Sequence, residues 1–216
     1  PEYWSIKAPS WSNNILFPGG RNDPEILSLA AGMSTEKFKQ EIGAEFTEFV
    51  GRVFKDYDDE DVPGNFSYNP AWPLYIATDY GFTNPNVFLF IQVDVWDNVV
   101  VLAEYYKNNE TTAEAMDSIE RDPFLNDLRQ KAVALYPDPE DPAASNEIAN
   151  RWRVPIKGKT GGLLSTRIDL IRRWLKPWPE ELEAGHPDKK PRLRFNRKRT
   201  PNLMREMQDY HYPENK

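Results

Sequence analysis

The sequence predicts an α/β protein in which helices flank a central β-sheet. Short apolar runs rich in β-branched residues, each followed by a polar turn, an acid or a proline, predict the strands. Stretches in which apolar residues recur every three or four positions predict the helices. The chain has 216 residues and a mass of 25.1 kDa, which is enough for one hydrophobic core with an appendage.

The first elements are an arm, a helix and a connection. Residues 1–30 combine prolines and glycines with scattered aromatic residues, a pattern typical of ordered loops with anchoring side chains. Ser34 predicts the cap of a helix over 35–50. The acidic run at 56–61 predicts a solvated connection over 55–70. A calcium-binding loop is a second interpretation of that run, although its spacing does not match an EF-hand.

A strand that ends on a carboxylate is the most informative feature of the chain. The apolar run at 74–78 is followed by Asp79 and, two positions later, by Gly81. Two more β-rich runs follow at 87–93 and 99–106, separated by a polar turn, so Asp79 is expected to end the first strand of a three-stranded meander. An acid at the tip of a buried strand is held rigidly where a ligand or a metal can reach it.

A second predicted strand also ends close to an acid. A helical stretch at 111–130 leads into an apolar run at 132–136, and Asp138 follows between two prolines. If this strand neighbours the first, the strand tips bring Asp79 and Asp138 together. Two carboxylates repel each other, and Mg²⁺ or Mn²⁺ resolves the conflict because these ions prefer carboxylate and water oxygens. The other interpretation is that Asp138 caps a helix over 143–151.

The net charge of −7 conceals a strong asymmetry. Residues 1–150 hold 10 Lys and Arg against 26 Asp and Glu, whereas residues 151–216 hold 17 against 8. A phosphate backbone would be drawn to the second part. The residues predicted to bind DNA lie there, in a flexible basic loop and in a strand that ends in a cationic cluster: Lys157, Lys159, Arg192, Arg194, Arg197, Lys198 and Arg199. Ordinary solvated basic faces are the other interpretation.

Composition excludes several other kinds of site. The chain has no cysteine, which rules out disulfides, thiolate zinc sites and a cysteine nucleophile. His186 and His211 are its two histidines, so a histidine metal site or a serine triad has little to build on. No apolar run approaches the roughly eighteen residues of a membrane span, and no membrane partner is expected.

In their order along the chain, these motifs resemble those of the nuclease domain of the large terminase subunit of tailed bacteriophages, the ATP-driven motor that packages DNA. Residues 76–85, IATDYGFTNP, resemble the first acidic motif of that family, and residues 136–139, YPDP, resemble the second. Three further segments are similar to the family's third strand, its late strand and helix, and the connection from its ATPase domain: residues 102–106, 192–206 and 34–54, respectively.

The resemblance implies a ribonuclease H-like mixed sheet flanked by helices, with residues 1–54 as arm and connection and residues 55–216 as the nuclease domain. It implies a two-metal endonuclease that cleaves double-stranded DNA with Mg²⁺ or Mn²⁺. Asp79 would ligate or bridge both ions and Asp138 would hold one, with Glu140 as a more distant substitute. ATP is expected only on the motor domain. The implied partners are DNA, the portal protein and the small terminase subunit, in the host cytoplasm during virion assembly.

One departure from the family concerns the third metal-binding acid. The family places that acid in a final helix, so its counterpart in this protein is expected beyond Lys216. Asp209 is the nearest acid available, but it belongs to the preceding helix. Weak metal binding and poor cleavage are therefore expected of this chain.

Two other functions stay open at the level of sequence. Asp79 followed by Gly81 and Thr83 also resembles the phosphate loop of actin, sugar kinases and the seventy-kilodalton chaperones. Those ATPases need a second phosphate hairpin and a late adenosine motif, and neither is present in the sequence. The third interpretation is a non-catalytic module that grips DNA or docks on the portal.

Overall fold

The structure is a computed structural model that describes residues 7–33, 35–45, 51–158, 163–176 and 190–212. Two short 3₁₀ helices, Ser10–Ser12 and Gly20–Asn22, precede the regular elements. The α-helices are α1 (Pro24–Ala31), α2 (Thr35–Glu41), α3 (Thr112–Arg121), α4 (Pro123–Lys131), α5 (Pro142–Trp152), α6 (Leu164–Trp174) and α7 (Pro201–Asp209). The strands are β1 (Pro63–Gly64), β2 (Leu74–Asp79), β3 (Asn86–Val93), β4 (Val99–Lys107), β5 (Ala132–Tyr136) and β6 (Leu193–Asn196). Within these ranges no helix is both long and apolar enough to cross a membrane.

The six strands form one mixed sheet in the order β1-β6-β4-β3-β2-β5. Strands β2, β3 and β4 pair antiparallel, which confirms the predicted meander. Strand β5 returns to pair in parallel with β2, so the two strands that lead to acids are neighbours, as the carboxylate-pair hypothesis required. Strands β6 and β1 extend the opposite side, each in parallel with its neighbour.

Apolar side chains cover both faces of the sheet, as expected of an α/β protein. One face packs against α3, α4 and α5 through a cluster that includes Phe88, Phe90, Met116, Leu128, Ile148 and Trp152. The other face packs against α6, α7 and the segment that follows residue 51, through Val53, Val62, Val101, Leu175, Phe195 and Met207. The predicted break in the helical stretch 111–130 is confirmed, because Asp122 ends α3 and its carboxylate accepts the Phe124 and Leu125 amides of α4.

The helix predicted over 35–50 is shorter in the structure. Helix α2 ends at Glu41, and the Gly43 amide donates to the Phe38 carbonyl at 2.9 Å. A Cβ on Gly43 would lie 2.6 Å from the Lys39 carbonyl oxygen, so this close chain reversal requires glycine. Ala44 follows with φ of 48°, which continues the turn. Ser34 and residues 46–50 lie outside the described residues, so the predicted cap stays a prediction.

The prediction of a solvated connection over 55–70 is wrong. Tyr57 and Val62 are buried in the core, with 4% and 0% of their surface exposed. Residues 63 and 64 form β1, which pairs with β6 at the edge of the sheet. Residues 58–61 of the acidic run therefore lie on the surface between these two apolar anchors. Val53 and Phe54 join the same core cluster, and the proposed division at residue 54 stays a prediction.

Candidate active site at the carboxyl ends of β2 and β5

The sheet brings the two predicted acids to one place. Asp79 is the last residue of β2, and Asp138 lies two residues beyond the end of β5. Because β2 and β5 are parallel, with Ala77 opposite Tyr136, both acids lie at the same end of the sheet. Together with Glu140 they line a cleft of about 440 Å³.

The electrostatics of Asp79 reflect this crowding. Burial raises the pKa of Asp79, and the charge of Asp138, a hydrogen bond with the Asp138 carboxyl group and the charges of Glu206 and Glu140 raise that pKa further. Beside the burial, two negative carboxylates at one place oppose each other's ionisation, which is why the charge of Asp138 raises the pKa of Asp79. A divalent cation bound between the two carboxylates would offset that repulsion.

The stability of the metal-free protein should depend on pH, because folding raises the pKa of Asp79. With its pKa raised, the native state binds a proton on this carboxylate more tightly than the unfolded chain does. The free energy of unfolding therefore falls as the pH rises from the unfolded pKa of about 4 through the higher pKa of the native state. We expect Asp79→Asn to melt at a higher temperature than the original chain near neutral pH. The difference in melting temperature should vanish below about pH 3, where Asp79 is protonated in the native and in the unfolded protein alike. Thermal melts in a chelator across this range measure it, and a difference independent of pH would contradict the assignment.

The turn that carries Asp138 is fixed by its own hydrogen bonds. Asp138 Oδ1 accepts the Glu140 amide at 2.9 Å. The cap of α5 is Asp141, whose carboxylate accepts the Ala144 amide at 2.9 Å. The interpretation of Asp138 as the helix cap is therefore wrong, because the cap lies three residues later, directly before Pro142. Asp138 instead belongs to the turn between β5 and α5, at the wall of the cleft.

A pair of hydroxyl groups ties the two acid-bearing segments together. Tyr80 directly follows Asp79, and its hydroxyl lies 3.3 Å from Ser145 Oγ. Ser145 Oγ lies 2.8 Å from the Asp141 carbonyl oxygen and 3.5 Å from that of Asp138. Its single proton goes to the nearer carbonyl, so Tyr80 donates to Ser145. These bonds couple the β2 end to the start of α5, and sequence reasoning missed them because they join residues 65 positions apart.

Helix α7 brings a further acid toward the site. Glu206 is near enough for its charge to raise the pKa of Asp79, and its Oε1 accepts the Tyr106 hydroxyl at 2.6 Å. Two residues before Tyr106, and so on the same face of β4, Glu104 accepts the first amides of α7. Sequence reasoning missed Glu206, because no sequence signal tells which side of α7 faces the sheet. Asp209 ends α7, and its carbonyl contacts the His211 ring.

Two cations share the cleft with the acids. Lys157 and Arg167 line it together with Asp79 and Asp138. The Lys157 amide donates to the Leu135 carbonyl at 2.8 Å, and Ile156 forms a bridge with Leu135, so this segment runs along the outer side of β5. Lys157 was predicted to bind DNA from the charge of its loop, whereas Arg167, the fourth residue of α6, was missed. Lys159 lies outside the described residues.

The remaining predicted DNA-binding residues lie just before β6, within it and in the turn after it, and none of them lines the cleft. Arg192 lies at the other end of the sheet from Asp79, 3.9 Å from the Asp97 carboxylate. The other four lie along β6 and the turn after it. Arg194 lies over the Phe66 ring, Arg197 donates to the Asp59 carbonyl, Lys198 is exposed and Arg199 lies over the Phe124 ring. Their role in DNA binding stays a prediction.

The donor set at the cleft fits a hydrated divalent cation. Asp79 and Asp138 supply carboxylate oxygens to one cleft, and Mg²⁺ is commonly held by one or two carboxylates while it keeps several waters. Within the described ranges, no group of three or more acidic or histidine side chains is arranged to hold a metal ion. The acidic run at 56–61 lies within these ranges, so its side chains form no such metal-binding group either. The paired carboxylates thus fit one ion, and the predicted second ion needs further ligands.

Comparisons with known proteins agree with this architecture. No family model and no curated protein sequence matches the chain. In three dimensions it is similar to the large terminase of a thermophilic bacteriophage, with a TM-score of 0.68 and 16% identity over 89% of this chain. It covers 45% of that terminase, and so spans less than half of it.

A second likeness is to the P22 large terminase nuclease domain, with a TM-score of 0.58 and 15% identity, over 76% of this chain and 81% of that domain. At this level of identity the likenesses show the fold. The chain has the fold of a terminase nuclease domain, and the predicted ribonuclease H-like α/β sheet is confirmed.

Proposed function

We propose that this chain is the metal-dependent endonuclease domain of a viral DNA-packaging terminase and that it cleaves double-stranded DNA by phosphodiester hydrolysis. The observation that carries the proposal is the pair formed by Asp79 and Asp138, which lie at the same end of the sheet and line one cleft, where burial and the charge of Asp138 raise the pKa of Asp79. Paired carboxylates with a perturbed pKa in a cleft are typical of sites that bind catalytic metal ions.

The chain's own residues would supply the ligands and hold the substrate. Asp79 and Asp138 would bind Mg²⁺ or Mn²⁺, and Glu140 would assist with a second ion. A divalent ion bound there supplies a Lewis acid for the phosphate and lowers the pKa of a bound water. Asp79 is held rigidly because it ends a paired strand, and Asp138 because its carboxylate accepts the Glu140 amide. Lys157, on the same cleft, would neutralise phosphate charge.

The likeness in fold to terminases extends the proposal to partners and place. The substrate would be concatemeric double-stranded DNA, and the portal protein and the small terminase subunit would be the partners. Cleavage would take place in the host cytoplasm during virion assembly, and ATP would bind only to a motor domain. These assignments follow from the proposed family.

The experiment is a cleavage assay on supercoiled plasmid with Mn²⁺, with Mg²⁺ and with a chelator, alongside measurements of ATP hydrolysis and of DNA binding at several salt concentrations. Nicking or degradation that requires the metal supports the nuclease. Hydrolysis of ATP without DNA would instead support the actin-like and sugar-kinase-like ATPases. Salt-sensitive DNA binding without cleavage would support a module that only grips DNA.

A further inference from the structure

The cleft is lined by side chains of both charges. Asp79, Asp138 and Glu140 are its acidic residues, and Lys157 and Arg167 are its cationic residues. The cations come from separate elements, since Lys157 lies beside β5 and Arg167 belongs to α6. A substrate in the cleft therefore meets both groups at once.

The side chains of Lys157 and Arg167 are not engaged by other residues in the part of the chain that the structure describes. Neither Lys157 nor Arg167 forms a side-chain hydrogen bond or an ion pair with any residue in the part of the chain that the structure describes. Arg151, by contrast, binds Glu120 at 2.7 Å and also contacts Asp117. The charged groups of Lys157 and Arg167 therefore stay available to a ligand, even though three acids line the same cleft.

A DNA strand would provide a partner for both the acidic and the cationic residues of the cleft. Its scissile phosphate would lie at the acids, where a divalent cation compensates the charge. Successive phosphates of one strand rise about 3.4 Å along the helix axis and stand farther apart than that through space, so the phosphate next to the scissile one would meet the cationic residues of the cleft rather than the acids. That phosphate has no metal ion of its own, and an arginine, with its planar fork of donors, matches its oxygens in a bidentate manner.

We propose that Arg167 binds the phosphate next to the scissile one and so positions the DNA strand across the acid pair, with Lys157 as a second contact to the backbone. This inference rests on the proposed nuclease function. It assigns to α6 a direct contact with substrate. Arg167 is a positioning residue here, because it acts on the strand and not on the reacting phosphate.

The test compares Arg167→Gln with the original chain. We expect about a tenfold higher KM for plasmid DNA with little change in kcat, because the lost contact acts equally on the bound substrate and the transition state. The slope of log Kd for DNA against log salt should fall by about one unit, the value for one lost phosphate contact. Arg167→Lys should recover part of the affinity but not all, since lysine lacks the bidentate fork.

The matched control is Arg121→Gln, which removes an exposed arginine that pairs with Asp117 and does not line the cleft. It should leave KM and the salt slope unchanged. If Arg167→Gln behaves like this control while the original chain cleaves DNA, the inference is wrong and the nuclease proposal stands. If the original chain binds DNA without cleaving it, the nuclease proposal fails, and the salt slopes of the two variants still decide the role of Arg167. Absence of DNA binding by the original chain would overturn both.

Discussion

Replacing Asp79 with asparagine is expected to lower metal-dependent DNA cleavage by about a hundredfold or more, while the protein stays folded. A bound divalent ion contributes several kcal/mol to stabilising charge in the transition state, and each 1.36 kcal/mol corresponds to a factor of ten in rate. The neutral amide keeps the shape of the aspartate but loses the charge that holds the ion. Plasmid cleavage at saturating Mn²⁺ measures the effect, with circular dichroism as the check on folding.

The control for this substitution is Asp127→Asn, which changes the same atoms at an exposed position of α4 where the carboxylate binds Lys131. Its cleavage rate should match that of the original chain. DNA binding in a chelator should not weaken in Asp79→Asn, because the substitution removes a negative charge from the cleft. Equal cleavage by the Asp79 and Asp127 variants would remove the carboxylate pair from the mechanism.

The second large effect is expected on stability. Glu104→Ala should lower the free energy of unfolding by about 3 kcal/mol, because a half-buried carboxylate that accepts several hydrogen bonds would be lost. Glu104 Oε1 accepts the Asn202 amide at 2.7 Å and its side chain at 2.8 Å, and Oε2 accepts the Leu203 amide at 2.8 Å. Thr200, at the N-cap position, makes no side-chain bond to α7, so the carboxylate from β4 takes that role.

Glu104→Gln is the matched variant, since it keeps the size and one acceptor oxygen. It should cost less than the alanine change, and urea unfolding of both variants measures the order. A smaller loss of stability in Glu104→Ala than in Glu104→Gln would contradict the capping role. Helix α7 also carries Glu206, which accepts the Tyr106 hydroxyl and lies near enough to Asp79 for its charge to raise the pKa of that acid. We expect Glu104→Ala to displace Glu206 together with α7 and so to reduce cleavage as well.

The parts of the site that local sequence determines could be predicted. Asp79 ends one apolar run and Asp138 lies two residues beyond another, so strand endings alone identified them. Their proximity depends on the parallel pairing of β2 with β5. The sequence did not establish that pairing, and the prediction was that the acids meet if the two strands are neighbours. The turn between β3 and β4 was also visible, because Asp94 accepts the amides of Trp96 and Asn98 and so closes the turn within a few residues.

Features decided by tertiary packing could not be predicted. Glu206 and Arg167 reach the site only because α7 and α6 pack on one face of the sheet, and their own neighbours in sequence carry no sign of it. Strand β1 has two residues, Pro63 and Gly64, too few for any periodicity to show. The same limit explains the error over residues 55–70, where acidic residues obscured the buried Tyr57.

The segment that runs along the outer side of β5 has a consequence for self-association. β5 is the last strand on its side of the sheet, and the unpaired backbone of such a strand attracts extended segments of other molecules. Here the Leu135 amide donates to the Pro155 carbonyl at 2.9 Å, and its carbonyl accepts the Lys157 amide at 2.8 Å. The middle of the strand that leads to Asp138 is thereby closed to a foreign strand, which protects this margin of the cleft against domain exchange and fibril-like growth.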